Sequence, residues 1–150
     1  MNPKRVLFVC LGNACRSQMA EAFARAYGSD VLVPASAGLT PAFRLPDDTI
    51  RAMAEKNLDM SAHFPKSIHQ LGRADFDLVI NLTGTPLMWP SDSPVEDWRV
   101  ADPIMLDYEQ HCAVRDQIEG LVMRLILELR RQNGNGAETR RGSIPRTPHR

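Results

Sequence analysis

Residues 6–17 decide the fold, and they read Val6-Leu7-Phe8-Val9-Cys10-Leu11-Gly12-Asn13-Ala14-Cys15-Arg16-Ser17. The apolar run at residues 6–9 is short, continuous and rich in β-formers, which predicts a parallel strand covered on both faces. After a loop at residues 11–14, residues 17–27 repeat apolar side chains with a helical period, and Gly28 ends the repeat. The stretch therefore predicts a strand, a tight loop and a helix in immediate succession.

The same alternation continues along the chain. Strands are expected at residues 31–33, 76–82 and 98–101, and helices at residues 47–56 and 108–131. In the second helix Ile50, Met53 and Ala54 are expected to point inward. Residues 83–97 contain three prolines and are expected to form an irregular loop. Alternating strands and helices predict an α/β fold whose ligands bind at the carboxyl ends of the strands, so the site should follow the first strand.

The composition gives no indication of a charged binding partner. The chain has 150 residues, 18 basic and 18 acidic, which predicts one domain and no nucleic-acid or membrane partner. We expect a folded catalytic domain at residues 1–131 and a disordered basic tail at residues 132–150. Three cysteines without a recognisable leader segment favour a reducing cytoplasm. We expect a monomer that needs no cofactor and no metal.

The loop after the first strand carries the chemistry. A loop of this length can turn its N–H groups inward to form an anion site, and the following helix adds its positive N-terminal dipole. Gly12 and Asn13 tolerate the positive φ that such a curl needs, and the guanidinium of Arg16 can bind two oxygens of a tetrahedral oxyanion. The expected phosphate-binding residues are Leu11, Gly12, Asn13, Ala14, Cys15 and Arg16.

Cys10 lies at the base of this positive loop, where the thiolate is favoured, and is the candidate nucleophile. Ser17 is placed to donate a hydrogen bond to the Cys10 sulfur. Taken alone, Cys10 would more often be a buried packing residue and Ser17 a helix N-terminal serine. A nucleotide-triphosphate loop is excluded because the Lys-Ser/Thr pair is missing. A zinc site is disfavoured because Cys112 lies far along the chain from the other two cysteines.

The segment from Val6 to Ser17 resembles the low-molecular-weight protein tyrosine phosphatases and the related thioredoxin-coupled arsenate reductases. The resemblance covers roughly residues 5–131, including an Asp-Pro pair before the last helix. It implies a three-layer sandwich with a four-stranded parallel sheet, and a cysteinyl-phosphate mechanism. It also implies that Asp102 is the general acid, although an Asp-Pro pair can equally be a simple turn.

The sequence has features of both the phosphatases and the arsenate reductases that it resembles. Gln18 after Arg-Ser, and Trp98 four residues before the Asp-Pro pair, resemble the reductases. The loop after the third strand has no cysteine, however, whereas the thioredoxin-coupled reductases need two there. The aromatic residues that tyrosine-specific phosphatases place after Asp-Pro are also absent, although Trp89 or Phe43 could flank the pocket from another loop.

We therefore expect a phosphomonoesterase, of the protein tyrosine phosphatase type, acting on a phosphorylated protein or a small phosphoester. The alternative is an arsenate reductase coupled to an external thiol (glutaredoxin, glutathione or mycothiol). A third reading is an inactive oxyanion-binding module. Cys15 is expected to have a redox role, because a curled loop brings it near Cys10 and a disulfide could protect the nucleophile from peroxide. The plainer alternative for Cys15 is a buried packing thiol.

Overall fold

The computed structural model describes residues 2–71 and 75–142. Its four strands are β1 (Lys4–Cys10), β2 (Leu32–Gly38), β3 (Leu78–Asn81) and β4 (Val95–Asp97). Its three helices are α1 (Arg16–Gly28), α2 (Asp47–Ala54) and α3 (Tyr108–Gly142), and two short 3-10 turns span Ile68–Leu71 and Pro103–Met105.

The strands form one parallel sheet in the order β2-β1-β3-β4. Side chains of β1 alternate between the two faces, as the pleat requires. Val6, Phe8 and Cys10 join the main core with the helices, whereas Leu7 and Val9 pack on the other face. Cys10, the last residue of β1, is paired with Gly38 at the end of β2. The nucleophile candidate therefore lies at the carboxyl edge of the sheet, as predicted.

Both faces of the sheet are covered. Helices α1 and α3 pack against each other on one face, and Met53 of α2 joins the same core. The opposite face is covered by short segments, in which Phe76, Leu71 and Trp89 pack against β1 and β3. The predicted three-layer α/β fold with a four-stranded parallel sheet is confirmed. Within the described residues, no helix has the length and apolar character needed to cross a membrane.

The predicted last strand at residues 98–101 is wrong. The structure places β4 earlier, at Val95–Asp97, inside the segment expected to be an irregular loop. All three residues of β4 are exposed at the edge of the sheet, so no apolar run marks the strand. The last contact with the sheet is a hydrogen bond from the Trp98 N–H to the Asn81 carbonyl, after which the chain leaves the sheet. Two residues later, the Val100 carbonyl accepts a hydrogen bond from Arg16.

Other boundaries also differ. Helix α3 continues past residue 131, its predicted end, to Gly142, and residues 143–150 lie outside the described part. The expected disorder of residues 132–150 stays a prediction. In α2 the buried residues are Thr49, Ala52 and Met53. The inward position expected for Met53 is confirmed, whereas those expected for Ile50 and Ala54 are wrong, because Ile50 is 37% exposed and Ala54 is also exposed.

Candidate active site

The loop between β1 and α1 is held by the chain that follows β2. The carbonyl oxygens of Cys10, Leu11 and Gly12 accept hydrogen bonds from the amides of residues 39, 40 and 42. These bonds use carbonyl oxygens of the loop and leave its N–H groups for an anion. Asn13 takes the one positive φ of the loop, 50°, which confirms the expected left-handed turn at the Gly-Asn pair.

Gly38 allows the loop to lie against β2. A Cβ at this position would come 2.8 Å from the Asn13 nitrogen and 2.9 Å from the Leu11 oxygen, closer than real Cβ atoms approach. Both clashes are with backbone atoms, which cannot rotate away. The absence of a side chain at Gly38 is therefore a condition for the shape of the loop, a requirement that the sequence pattern did not reveal.

A buried network holds the nucleophile candidate. The Cys10 sulfur lies 2.9 Å from Ser17 Oγ, and Asn13 Nδ2 donates to that oxygen at 2.8 Å. The oxygen of the Asn13 amide accepts from Gln18 Nε2 and from the Lys66 amide. Because the Asn13 amide nitrogen can only donate, the Ser17 hydroxyl hydrogen is left for the Cys10 sulfur.

Arg16 is anchored from behind. Its Nη1 donates to the Leu82 carbonyl at 2.6 Å and to the Val100 carbonyl at 3.2 Å, and the residue is only 5% exposed. Two carbonyl contacts on one nitrogen fix the plane of the guanidinium. The ends of β3 and of the segment after β4 therefore aim this side chain.

Asp102 lies across the site from the loop. Its Oδ2 is 3.4 Å from Arg16 Nη2, and its Oδ1 accepts a hydrogen bond from the Ile104 amide at 3.1 Å. The carboxylate side chain is 39% exposed, which leaves it in contact with solvent. The structure thus brings Asp102 into the same site as Arg16.

A cavity of about 220 Å³ connects these groups. It is lined by Cys10, Leu11, Gly12, Ala14, Cys15, Arg16, Thr40, Ala42, Asp102 and Ile104. The suggested aromatic neighbours do not line it, since Phe43 is 98% exposed and Trp89 packs on Phe76 at the other face of the sheet. Asn13 does not line it either, because its side chain points back into the network that holds Ser17.

Cys15 belongs to a second buried group that the sequence pattern did not reveal. Thr49 Oγ1 lies 3.3 Å from the Cys15 sulfur and 2.9 Å from His111 Nε2. Burial raises the pKa of the Cys15 thiol to about 11, while the hydrogen bond with Thr49 acts in the opposite direction. Burial also lowers the pKa of His111. No motif links Cys15 with Thr49 and His111, because they come from three separate helix starts.

Gln18 connects the network around Cys10 and Ser17 with a histidine closer to the surface. His63 Nδ1 lies 2.8 Å from Gln18 Oε1, and burial lowers the pKa of this histidine. Within residues 2–71 and 75–142, no group of three or more His, Cys, Asp or Glu side chains is arranged to hold a metal ion.

Known proteins similar to the chain point to one superfamily. The family described as low molecular weight phosphotyrosine protein phosphatase matches residues 5–135. A protein named glutaredoxin arsenate reductase, from Synechocystis sp., is 35% identical over 84% of this chain and 98% of its own length. Arsenate reductase 1 of Staphylococcus epidermidis is 32% identical over 81% of this chain and 95% of its own.

Solved structures agree with these relatives. A structure described as an arsenate reductase in the phosphate binding state has a TM-score of 0.76 at 35% identity, covering 84% of this chain and 98% of that one. The YwlE arginine phosphatase of Geobacillus stearothermophilus has a TM-score of 0.75 at 25% identity, covering 89% and 97%.

These relatives correct one expectation from the sequence. The expectation of a phosphomonoesterase is wrong, because curated relatives that match most of the chain are named arsenate reductases, which fits the alternative better. The shared loop explains the error, since it selects a tetrahedral oxyanion without distinguishing phosphorus from arsenic. The chain belongs to the low molecular weight phosphotyrosine protein phosphatase family, as a cysteine-dependent enzyme of that superfamily.

Proposed function

We propose that the protein reduces arsenate to arsenite with electrons from an external thiol such as glutaredoxin, glutathione or mycothiol. The observation that carries this proposal is the similarity of most of the chain to curated arsenate reductases. The buried contact between Cys10 and Ser17, beside the anchored Arg16, supports it by supplying a nucleophile and an oxyanion site in one cavity.

Arsenate would bind in the loop as a tetrahedral oxyanion. The N–H groups of the loop and the N-terminus of α1 favour negative charge, and Arg16 offers paired donors to two of its oxygens. Phosphate has the same shape, and the solved relative at 35% identity is described in a phosphate binding state. Phosphate should therefore compete with arsenate for the loop.

In the first step the Cys10 thiolate attacks arsenic. A sulfur–arsenic bond forms and one arsenic–oxygen bond breaks, with arsenic still in the pentavalent state. The Ser17 hydroxyl donates a hydrogen bond to the Cys10 sulfur before the attack and again when that sulfur is the leaving group. Asp102 supplies the proton with which the departing oxygen leaves as water.

Reduction occurs when a second thiol attacks the Cys10 sulfur. A disulfide forms, the sulfur–arsenic bond breaks, and its electron pair stays on arsenic, which leaves as trivalent arsenite. A further thiol then reduces the disulfide and restores Cys10. For each arsenate, two external thiols end as one disulfide, and arsenite and water are the other products.

The supply of thiols within the chain is limited. Residues 82–94, between β3 and β4, contain no cysteine that could attack the Cys10 adduct, so an external thiol is the proposed reductant. Besides Cys10, the sequence has only Cys15 and Cys112, and Cys112 lies on α3 with its sulfur 4.0 Å from Glu55 Oε2. A reductant that enters the cavity mouth is needed to complete the cycle.

The test is a coupled assay with arsenate as the oxidant. Purified protein is mixed with arsenate, glutathione, glutaredoxin, glutathione reductase and NADPH, and NADPH consumption is followed; a mycothiol-based system is run in parallel. We expect consumption that depends on arsenate and that inorganic phosphate inhibits competitively. Cys10→Ser should abolish it, whereas Cys112→Ser should leave it unchanged.

Two results would contradict the proposal. The first is the absence of arsenate-dependent consumption with either thiol system while the protein still binds phosphate, which would favour an inactive oxyanion-binding module. The second is consumption that survives Cys10→Ser, which would move the chemistry away from this loop.

A further inference from the structure

A polar cleft lies next to the catalytic cavity, at the carboxyl ends of β3 and β4. Its volume is about 440 Å³, whereas that of the catalytic cavity is about 220 Å³. It is lined by Asn81 at the end of β3, by residues 84–86 of the following loop and by residues 97–101. Apart from the Val100 carbonyl that holds Arg16, the residues of this cleft have no role in the reaction steps described above.

We propose that this cleft binds glutathione and delivers its thiol to the arsenic adduct on Cys10. In this arrangement Asp97 and Arg99 hold the γ-glutamyl end of the tripeptide, and the thiol of glutathione enters the catalytic cavity. The inference rests on the proposed function for its chemistry, whereas the binding of the tripeptide is tested separately.

The first support is the size of the two spaces. Pockets that hold small organic ligands measure about 300–1,000 Å³. The catalytic cavity, at about 220 Å³, lies below this range, and Cys10 is only 2% exposed. The cavity can therefore take the oxyanion and a thiol side chain, but the rest of the tripeptide must lie outside it. The cleft, at about 440 Å³, has room for that remainder.

The second support is the position of the cleft. Ala101 lines the cleft and the next residue, Asp102, lines the catalytic cavity, so the two spaces meet at this segment. Arg16 lines the cavity and donates to the carbonyl of Val100, which lines the cleft. The γ-glutamyl end of glutathione is separated from its sulfur by about the length of two extended residues, roughly 7 Å. A tripeptide held in the cleft can therefore pass over the Asp102 segment into the cavity.

The third support is a buried amide that fixes the shape of the cleft. Asn81 is 3% exposed, and its Nδ2 donates to the Thr85 carbonyl at 2.7 Å and to Asp97 Oδ1 at 2.9 Å. Asn81 Oδ1 accepts from the amide and the hydroxyl of Thr83. The loop after β3 is thus tied to β4 before a ligand arrives, which lowers the entropy cost of binding. In this network Asp97 accepts through Oδ1, which leaves Oδ2 for a ligand.

The fourth support is the charge at the cleft. Asp97 and Arg99 are exposed and lie two positions apart, a spacing that places side chains on the same side of an extended chain. None of the ion pairs among residues 2–71 and 75–142 involves Asp97 or Arg99. The γ-glutamyl end of glutathione carries an ammonium and a carboxylate on one carbon, so it can pair with both side chains at once. Mycothiol carries neither group, and the cleft therefore favours glutathione.

The proposed step uses glutathione as its reductant. The glutathione sulfur attacks the Cys10 sulfur of the arsenic adduct, a disulfide forms between them, and the sulfur–arsenic bond breaks with its electron pair on arsenic. The thiol proton ends on the departing arsenite. A second thiol, from glutathione or glutaredoxin, then attacks the glutathione sulfur of this mixed disulfide and restores Cys10.

The kinetic test measures the rate of arsenite formation at increasing glutathione concentrations, with saturating arsenate and without glutaredoxin. We expect the wild-type rate to saturate. Asp97→Asn and Arg99→Gln should each raise the half-saturating glutathione concentration about fivefold, the size expected for an exposed ion pair. Asp97→Asn keeps an acceptor for Asn81 and removes only the charge.

The matched control is Arg124→Gln. Arg124 is an exposed arginine on α3 that lines a neighbouring groove rather than the cleft. Its replacement removes the same charge from the same side of the molecule and should leave the half-saturating glutathione concentration unchanged.

A change in the ligand tests the pairing directly. Glutathione acetylated on its γ-glutamyl nitrogen has lost the ammonium group, so it should bind the wild type about fivefold more weakly. Asp97→Asn should bind the acetylated and the unmodified tripeptide equally, because the contact that acetylation removes is already absent. γ-Glutamylcysteine keeps the γ-glutamyl end and lacks the glycine, and it should act like glutathione.

Binding is tested without the reaction by NMR. S-methylglutathione, whose sulfur cannot react, is titrated into the Cys10→Ser protein with phosphate bound in the loop. The amide signals of Gly84, Thr85 and Arg99 should shift, and adding Arg99→Gln should weaken the titration about fivefold. The melting temperature and phosphate binding show that each variant is folded.

The outcomes separate this inference from the proposed function. If no arsenite forms with glutathione and glutaredoxin while S-methylglutathione still shifts the cleft signals, the proposed function fails and the binding site stands. If arsenite forms but the cleft signals do not shift, or if wild type, Asp97→Asn and Arg99→Gln react with glutathione equally fast, the cleft is not the binding site. An equal loss in Arg124→Gln would place glutathione in the neighbouring groove and would also overturn the inference.

Discussion

Ser17 carries one hydroxyl hydrogen, and its neighbours decide where that hydrogen points. Asn13 Nδ2 already donates to Ser17 Oγ, so the hydrogen is directed at the Cys10 sulfur 2.9 Å away. The bond is buried, and a donor to a developing or departing thiolate is worth more there than in water. We therefore expect the serine to contribute to catalysis more than to folding.

Replacing this donor gives a prediction for single residues. Ser17→Ala should lower kcat for arsenate reduction by about a hundredfold and change KM for arsenate much less, because the donor acts on the sulfur rather than on the oxyanion. Steady-state kinetics measure both constants. The control is Ser61→Ala at an exposed position, which should leave both unchanged. An equal loss of kcat in the two variants would contradict a specific role of Ser17.

Gly38 gives a second prediction at this scale. Gly38→Ala should weaken phosphate binding and lower the free energy of unfolding by about 1–3 kcal/mol, because the new Cβ meets the backbone of Asn13 and Leu11. Gly120 on α3 has nothing within 4 Å of an added Cβ, so Gly120→Ala should stabilise the protein by about 0.5–1 kcal/mol. Denaturant unfolding and phosphate titration compare the two, and destabilisation by both variants would show that the clash at Gly38 is not the cause.

The secondary-structure elements that the sequence predicted correctly are the ones with buried residues. The run at residues 6–9 predicted β1 because the strand is covered on both faces, and the helical period predicted α1 for the same reason. β4 could not be found, because Val-Glu-Asp at an exposed edge has no apolar pattern. The contact of Thr49 with His111 joins residues 62 positions apart, so no local pattern could indicate it.

The end of α3 supplies a prediction for an element. Among residues of known exposure, Leu129 is the last buried one of this helix, and Arg130 pairs with Asp30 at the surface. Deleting residues 135–150 should therefore change the free energy of unfolding by no more than about 0.5 kcal/mol and leave arsenate reduction intact. Urea denaturation of the full and shortened chains measures the free energy of unfolding. A larger loss would mean that the removed segment contacts the body of the protein.

For the whole molecule, two histidines link stability to pH. Burial lowers the pKa of both His63 and His111 below the ordinary value of 6.5. The unfolded chain therefore binds more protons at these positions than the folded chain does in the window below 6.5. Their contribution to stability is complete above that value and is lost as the pH falls through it.

The expected result is a free energy of unfolding that declines between about pH 7 and about pH 5.5. His63→Gln and His111→Gln should each make the decline smaller, whereas His69→Gln, at an exposed position, should not alter it. Denaturant unfolding at several pH values measures the slope. A decline that none of the variants reduces would assign the pH dependence to other groups.

The function was harder to predict than the fold, for a reason that concerns the whole site. Cys10, Arg16 and Ser17 in their spacing predict an oxyanion loop with a nucleophile. The structure places the Cys10 sulfur against Ser17 Oγ and gives Cys10 and Arg16 one shared cavity. The outcome after the first attack depends on what reaches the Cys10 sulfur next, either water or a second thiol. The loop motif does not distinguish attack by water from attack by a thiol. The similarity of most of the chain to curated arsenate reductases is what favours the thiol.

Arsenic speciation during turnover is the most direct test of reduction at Cys10. Protein, arsenate and excess glutathione with glutaredoxin are incubated, and arsenite and oxidised glutathione are counted together. We predict about one arsenite for every two thiols oxidised, as the disulfide mechanism requires, with no arsenite above the uncatalysed level in Cys10→Ser. Arsenate that remains pentavalent in the presence of the folded wild-type protein would contradict reduction at this site.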